Sequence, residues 1–159
     1  MMAEHGHELV EVVVEWLQDS FDRTEWDEVA RRAVPVDSGD KSAPPEHYGC
    51  IPGALCPGDS ELLDVLLLGS GGRAYAAGDL LPARVLGVLR RSDGDHKLIA
   101  VDPRDSQARA LDDIGTKRLT VIWDWFTRQH VLLDWAGPEE AHAILEYCRR
   151  LWALEHGEA

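Results

Sequence analysis

Basic residues are scarce in this chain: 16 Lys and Arg stand against 29 Asp and Glu, giving a formal net charge of −13 and a pI of about 4.8. That balance disfavours partners that present phosphate backbones or anionic lipid, so neither nucleic acid nor a membrane is expected. Cysteine is sparse as well. Cys50, Cys56 and Cys148 are odd in number and form no CxxC pair, which argues against both a disulfide framework and a structural zinc site. No apolar run approaches the ~20 residues that a membrane helix needs. The start, MMAEHGHELVEVVVEW, lacks the basic opening of a signal peptide. Internal repeats and an interdomain linker are also missing. A soluble, cytoplasmic protein with reduced thiols is the expectation.

What is present suffices for one core. The chain has 159 residues, 45% of them hydrophobic and six of them Trp, which fits a single domain spanning 1–159. HELVEVVVEW, LLDVLLL, ARVLGVLR and HKLIAVD are short runs rich in Val, Leu and Ile, bounded by Gly, Pro, Asp or Ser, and they read as strands. From Thr116 the period changes: Leu119, Ile122, Trp123 and Phe126 share one face of a helix. A second amphipathic helix closes the chain. Pro138, Glu139 and Glu140 suit its first turn, Ala141, Ile144, Leu145, Cys148 and Leu151 share a face, and Gly157 can stop it. Strands before helices predict an α+β fold. The stretches 34–45 and 69–79 hold enough Gly and Pro to exclude long regular elements.

Charge is concentrated where strands begin. PGDSELLDVLLL places Asp59, Glu61 and Asp64 at the head of one apolar run, and RSDGDHKLIAVD places Asp93, Asp95 and Lys97 at the head of another. Such loops read either as solvated acidic surface or as a site for a hard cation, since Mg²⁺ prefers carboxylate and water oxygens. Two acidic loops that each lead into a strand can converge at one end of a barrel.

The order EVVVEW, RTE, HYGCIPGAL, DSELLD, RVLGVLRRSDGDHKLIAV and a helix after DWAGPEEA resembles the soluble, family I inorganic pyrophosphatases across most of the chain. The resemblance implies a five-stranded OB-like β-barrel with flanking helices and a carboxylate-lined cavity that holds several Mg²⁺ ions. It implies hydrolysis of inorganic pyrophosphate to two phosphates, and a homo-oligomeric assembly. By the same resemblance, Asp59, Asp64 and Asp95 ligate metal, with Asp93 serving a further ion and Glu15 the outer shell. Arg23, Tyr48 and Lys97 contact phosphate oxygens, Glu25 orients the basic groups, Glu61 takes the place of the general base, and Arg128 stands in for a late lysine. On its own, an arginine on the polar face of a helix reads as solvated. His5 and His7 read as part of an unstructured terminus, and strand alternation turns His96 away from the site.

Departures from the family pattern are concentrated in the phosphate-binding half. The middle Asp of the signature is Glu61, and Leu62 replaces its proline. The early arginine has no counterpart, Ser38 and Lys41 lying nearest, and Pro44 falls where a second tyrosine is expected. The acidic loop before HKLIAV is short, and WDWFTRQ replaces the usual aromatic-Tyr-Lys segment. Two further readings follow: a divergent relative with weak or no pyrophosphatase activity, acting on another small diphosphate or as a binding or regulatory subunit, and an acidic interaction domain without metal.

Overall fold

The computed structural model describes residues 8–37, 42–128 and 130–157. His5, His7, Ser38 and Lys41 lie outside the described residues. Among the described residues there are eight strands: β1 (Leu9–Trp16), β2 (Thr24–Asp27), β3 (Arg32–Pro35), β4 (His47–Leu55), β5 (Leu62–Leu67), β6 (Leu80–Arg91), β7 (Lys97–Val101) and β8 (Leu132–Ala136). Two helices, α1 (Thr116–Thr127) and α2 (Pro138–Glu155), accompany them.

Five strands close on themselves in the order β1-β4-β5-β7-β6, with β6 pairing back to β1. β5 and β7 run parallel and the other barrel pairs run antiparallel, so the barrel is mixed. β8 extends the far half of β6, while β2 and β3 form a separate hairpin. The architecture is the α+β, OB-like barrel that the sequence predicts.

Two apolar clusters hold this wall. Leu63, Val65 and Leu67 of β5, with Leu98 and Ala100 of β7, join Val10, Val12 and Val14 and the α2 residues Ala141, Leu145 and Cys148. The alternate residues Leu66, Ile99 and Val101, with Leu86 and Leu89, pack against Ile122 and Phe126 of α1. A strand buried on both sides carries apolar residues at both parities, which is why VLLL and LIAV are unbroken runs. The helices fall where the 3.6-residue spacing puts them. Pro138 sits in the first turn of α2 behind Gly137, and the chain leaves that helix through Gly157 at φ +71°.

β4 was not legible as a strand, because Gly49, Pro52 and Gly53 punctuate HYGCIPGAL. Its glycine has a packing cause: a Cβ on Gly49 would lie 2.0 Å from the Val13 carbonyl oxygen, where β4 closes on β1. The bidentate pair from Arg118 to buried Glu46, at 2.7 and 2.6 Å, ties α1 to the start of β4, and Arg118 also donates to the Gly69 carbonyl at 2.6 Å. Cys50, Cys56 and Cys148 are buried free thiols. Among the described residues no helix is long and apolar enough to cross a membrane.

Candidate active site

The acidic loops do converge. A cavity at one end of the barrel has two adjoining compartments of about 170 and 240 Å³, which share Trp16, Arg23, Tyr48, Glu61 and Asp64 in their walls. Glu15 and Glu25 line the first compartment, and Asp59, Asp95, Lys97 and Arg91 line the second.

Strand register builds the centre. Asp64 on β5 lies opposite Lys97 on the parallel β7, so each strand presents its polar residue beside the other's. Lys97 Nζ donates to Asp64 Oδ2 at 2.5 Å and to Asp95 Oδ1 at 2.9 Å. Tyr48, from β4, donates its hydroxyl to the same Asp64 Oδ2 at 3.3 Å. Lys97 is only 2% exposed. Burial alone would lower its pKa, but the oxygens of Tyr48, Asp64 and Asp95 around it outweigh that, and the ammonium is held above the usual lysine range.

Glycine brings the two acidic loops together. A Cβ on Gly58 would fall 2.5 Å from the Asp95 amide nitrogen, so the bare backbone lets residues 56–60 lie against the turn at 94–95. Carboxylate oxygens of Asp59 and Asp95 and the Cys56 sulfur thereby come within 4.8 Å of one another. Burial pushes the Cys56 thiol up to about 12, and a hard cation prefers the two carboxylates beside it to sulfur. Gly58→Ala is expected to separate these loops, destabilising the fold by about 1–3 kcal/mol and weakening divalent-cation binding. Urea unfolding with and without Mg²⁺ tests this, and an unchanged metal-induced stabilisation would show that the contact between the loops does not build the site.

Electrostatics identify what the cavity lacks. Six lining carboxylates, on Glu15, Glu25, Asp59, Glu61, Asp64 and Asp95, face three cations, on Arg23, Arg91 and Lys97. Burial, then Asp64 and Glu25, raise Glu15 to about 7 against the hydrogen bond it accepts from the Trp26 amide. Burial also raises Asp64, although Lys97 pulls the other way, and burial with Asp59, Glu25 and Asp64 raises Glu61. An excess of clustered oxygen donors, with no thiolate or chain of imidazoles, fits hard divalent cations.

Of the candidate residues, Glu15, Arg23, Glu25, Tyr48, Asp59, Glu61, Asp64, Asp95 and Lys97 line this cavity. Two do not. The Asp93 side chain is 48% exposed and ion-pairs with Arg91 at 2.5 Å, and that guanidinium, through its hydrogen bond, holds the carboxyl below the usual carboxylate range. Arg128 is exposed just past the end of α1, where the helix turns its polar face to solvent. His96 is turned away, accepting the Arg91 amide on Nδ1 at 3.0 Å. The sequence reading missed Arg91 and His130, which line the second compartment. The signal for Arg91 was present: Arg90 and Arg91 end a buried strand, so alternation must turn one of them inward.

Comparison with known proteins agrees with this geometry. The family described as Inorganic pyrophosphatase matches residues 12–153. The chain is 30% identical over 117 residues to the inorganic pyrophosphatase of Geobacillus stearothermophilus, an alignment covering 65% of this chain and 69% of that protein. It is similar in structure to the inorganic pyrophosphatase of Neisseria gonorrhoeae, with a TM-score of 0.77 at 26% identity and 94% of each chain covered. The Helicobacter pylori enzyme superposes with a TM-score of 0.78 at 25% identity, covering 96% of this chain and 98% of that one.

Proposed function

The chain belongs to the inorganic pyrophosphatase family, a family of metal-dependent hydrolases, and from that premise we propose that its barrel cavity hydrolyses inorganic pyrophosphate to two phosphates with Mg²⁺ as cofactor. The observation that carries this reading is the carboxylate-rich cavity built around the buried Lys97–Asp64 pair, whose charge excess calls for cations. Asp59, Asp64 and Asp95 are the residues that would hold Mg²⁺, with Glu15 further out. A cation bound there lowers the pKa of water and neutralises charge on the phosphates.

The chain's own groups do the rest. Glu61 accepts the proton of the attacking water on a carboxylate oxygen. As the new oxygen–phosphorus bond forms in line, the bridging bond breaks and the second phosphate leaves with the electron pair. Lys97, Arg23 and the Tyr48 hydroxyl hold phosphate oxygens, and charge-assisted donors of this kind stabilise the transferring group most at its transition state. Glu25 orients Arg23, to which it is paired at 3.8 Å, while Arg23 stacks over Trp16 at 5.1 Å. The shared residues Arg23, Tyr48, Glu61 and Asp64 let one diphosphate span both compartments.

The assay that tests this reading is phosphate release from pyrophosphate with Mg²⁺ titrated, beside a panel of other diphosphates. Turnover confined to another diphosphate would favour the retargeted relative, and no turnover on any of them would sink the enzyme reading. Mg²⁺ at about 100 times its Kd should raise the melting temperature by about 5–10 °C, since a ligand that binds only the native state adds ~2.7 kcal/mol. A melting temperature unmoved by millimolar Mg²⁺ would count against the metal site. The proposed setting is the cytoplasm, and the exposed apolar side chains of Val121, Val131 and Leu133 support a homo-oligomer.

A further inference from the structure

The family pattern leaves this chain short of phosphate-binding cations: the early arginine has no counterpart in sequence, and Arg128 does not reach the cavity. A different strand supplies one. Arg91, the last residue of β6, is 5% exposed and lines the second compartment beside Asp59, Asp95 and Lys97.

Its bonding is asymmetric. Nε donates to Asp93 Oδ1 at 3.2 Å, and Nη2 donates to Asp93 Oδ2 at 2.5 Å and meets His130 Nδ1 at 2.8 Å. Those contacts use the Nε hydrogen and both Nη2 hydrogens. Among the described residues Nη1 has only an ion pair with Asp95 Oδ2 at 3.5 Å, too long for a good hydrogen bond. Two N–H donors of an almost fully buried cation are therefore unspent in the wall of an oxygen-ligand cavity. Trp125 lines the same compartment, and its Nε1 is a buried donor without a hydrogen-bond partner among the described residues. Buried donors of this kind are expensive unless something accepts from them. Lys97 is engaged by two carboxylates and Arg23 is a third exposed, so Arg91 adds a buried cation with unspent donors to the two already assigned to phosphate.

We propose that Arg91 is a substrate-binding residue, its Nη1 donating to a phosphate oxygen of the diphosphate while Asp93 and His130 fix the plane of the guanidinium. The assignment rests on the pyrophosphatase reading and gives Asp93 a positioning role in place of a metal-ligand role. A planar fork held on one edge presents the other at a defined angle, which suits a tetrahedral anion.

The test is calorimetric binding of imidodiphosphate, a hydrolysis-resistant diphosphate, at saturating Mg²⁺. Arg91→Met should weaken its Kd by about 10- to 50-fold, the scale of a lost charge-assisted hydrogen bond. Arg91→Lys, which keeps the charge against Asp93 and Asp95 but not the fork, should weaken it by about 5- to 10-fold, and it decides the question if the Met variant does not fold. Asp93→Asn should leave the Mg²⁺ affinity within about twofold while weakening imidodiphosphate binding, the split expected of a positioning residue. Wild-type imidodiphosphate affinity in the Lys variant, loss of Mg²⁺ binding in Asp93→Asn, or no binding to the wild type would each overturn the assignment. Because the probe is not turned over, a wild type that binds it but fails to hydrolyse pyrophosphate would instead remove the activity and leave Arg91 standing.

Discussion

Lys97→Met is expected to lower pyrophosphate hydrolysis by about 10³-fold and to destabilise the metal-free protein by about 3–5 kcal/mol. The two effects have one cause. Lys97 Nζ lies within 2.5 Å of Asp64 and 2.9 Å of Asp95, in a wall where carboxylates already outnumber cations. Removing the ammonium strands two carboxylates in a desolvated position, and breaking a buried pair from one side costs more than the pair contributed. It also removes the donor aimed at the phosphate whose charge grows as the bridging bond breaks. Mg²⁺ should return part of the lost stability, since a cation between Asp64 and Asp95 relieves the same repulsion, but it should not return the rate. Adding Asp64→Asn to Lys97→Met should recover stability relative to the single variant, because only one carboxylate is then left uncompensated. Urea unfolding with and without Mg²⁺, beside phosphate release, reads all of this. A Lys97→Met protein that turns over within tenfold of wild type would remove Lys97 from the chemistry.

The parts of this fold that were legible are those whose physics is local. β5 and β7 announce themselves because both faces of each strand are buried, so Val65–Leu67 and Leu98–Val101, which follow Asp64 and Lys97, are apolar at every position. α1 and α2 are amphipathic, and a 3.6-residue period is visible without knowledge of the partner. β4 and the β2–β3 hairpin are not local facts. Gly49 belongs to a strand because the Val13 carbonyl of another strand lies where a side chain would be. Within the site, Asp64 and Lys97 could be picked out as the polar residues next to unbroken apolar runs, and Asp59 as part of the acidic loop before one. Asp93 and Asp95 could not be told apart. Both are acids of one short turn, and what separates them is Arg91, whose guanidinium in the cavity wall holds Asp93 outside while Asp95 meets Lys97 within. That division depends on how the end of β6 is rotated, which no spacing in the sequence records.

The same limit applies to Glu61, whose extra methylene relative to the signature Asp would displace a carboxylate by roughly 1 Å if the backbone stayed in place, enough to cost about 10²-fold. The backbone around it follows a tight turn. Asp59 Oδ1 accepts the Glu61 amide at 2.9 Å, the Glu61 carbonyl accepts from Cys56 N at 2.7 Å, and Ser60 between them takes a left-handed φ of 61°. A non-glycine residue held there is strained by about 1–3 kcal/mol, and such strain persists only where the surroundings over-determine it. Leu62, free of proline's fixed φ, then starts β5 opposite Leu55. From this turn the longer Glu61 side chain reaches the walls of both compartments. Glu61→Gln is therefore expected to lower hydrolysis by about 10²-fold with Mg²⁺ binding retained, the scale for losing a positioned general base. Glu61→Asp should change the rate only modestly, or raise it if the turn relaxes toward the cavity. Single-turnover phosphate release at saturating Mg²⁺ separates these outcomes from altered binding, and a Gln variant as fast as wild type would mean that the proton goes elsewhere and that Glu61 serves only the charge of the wall.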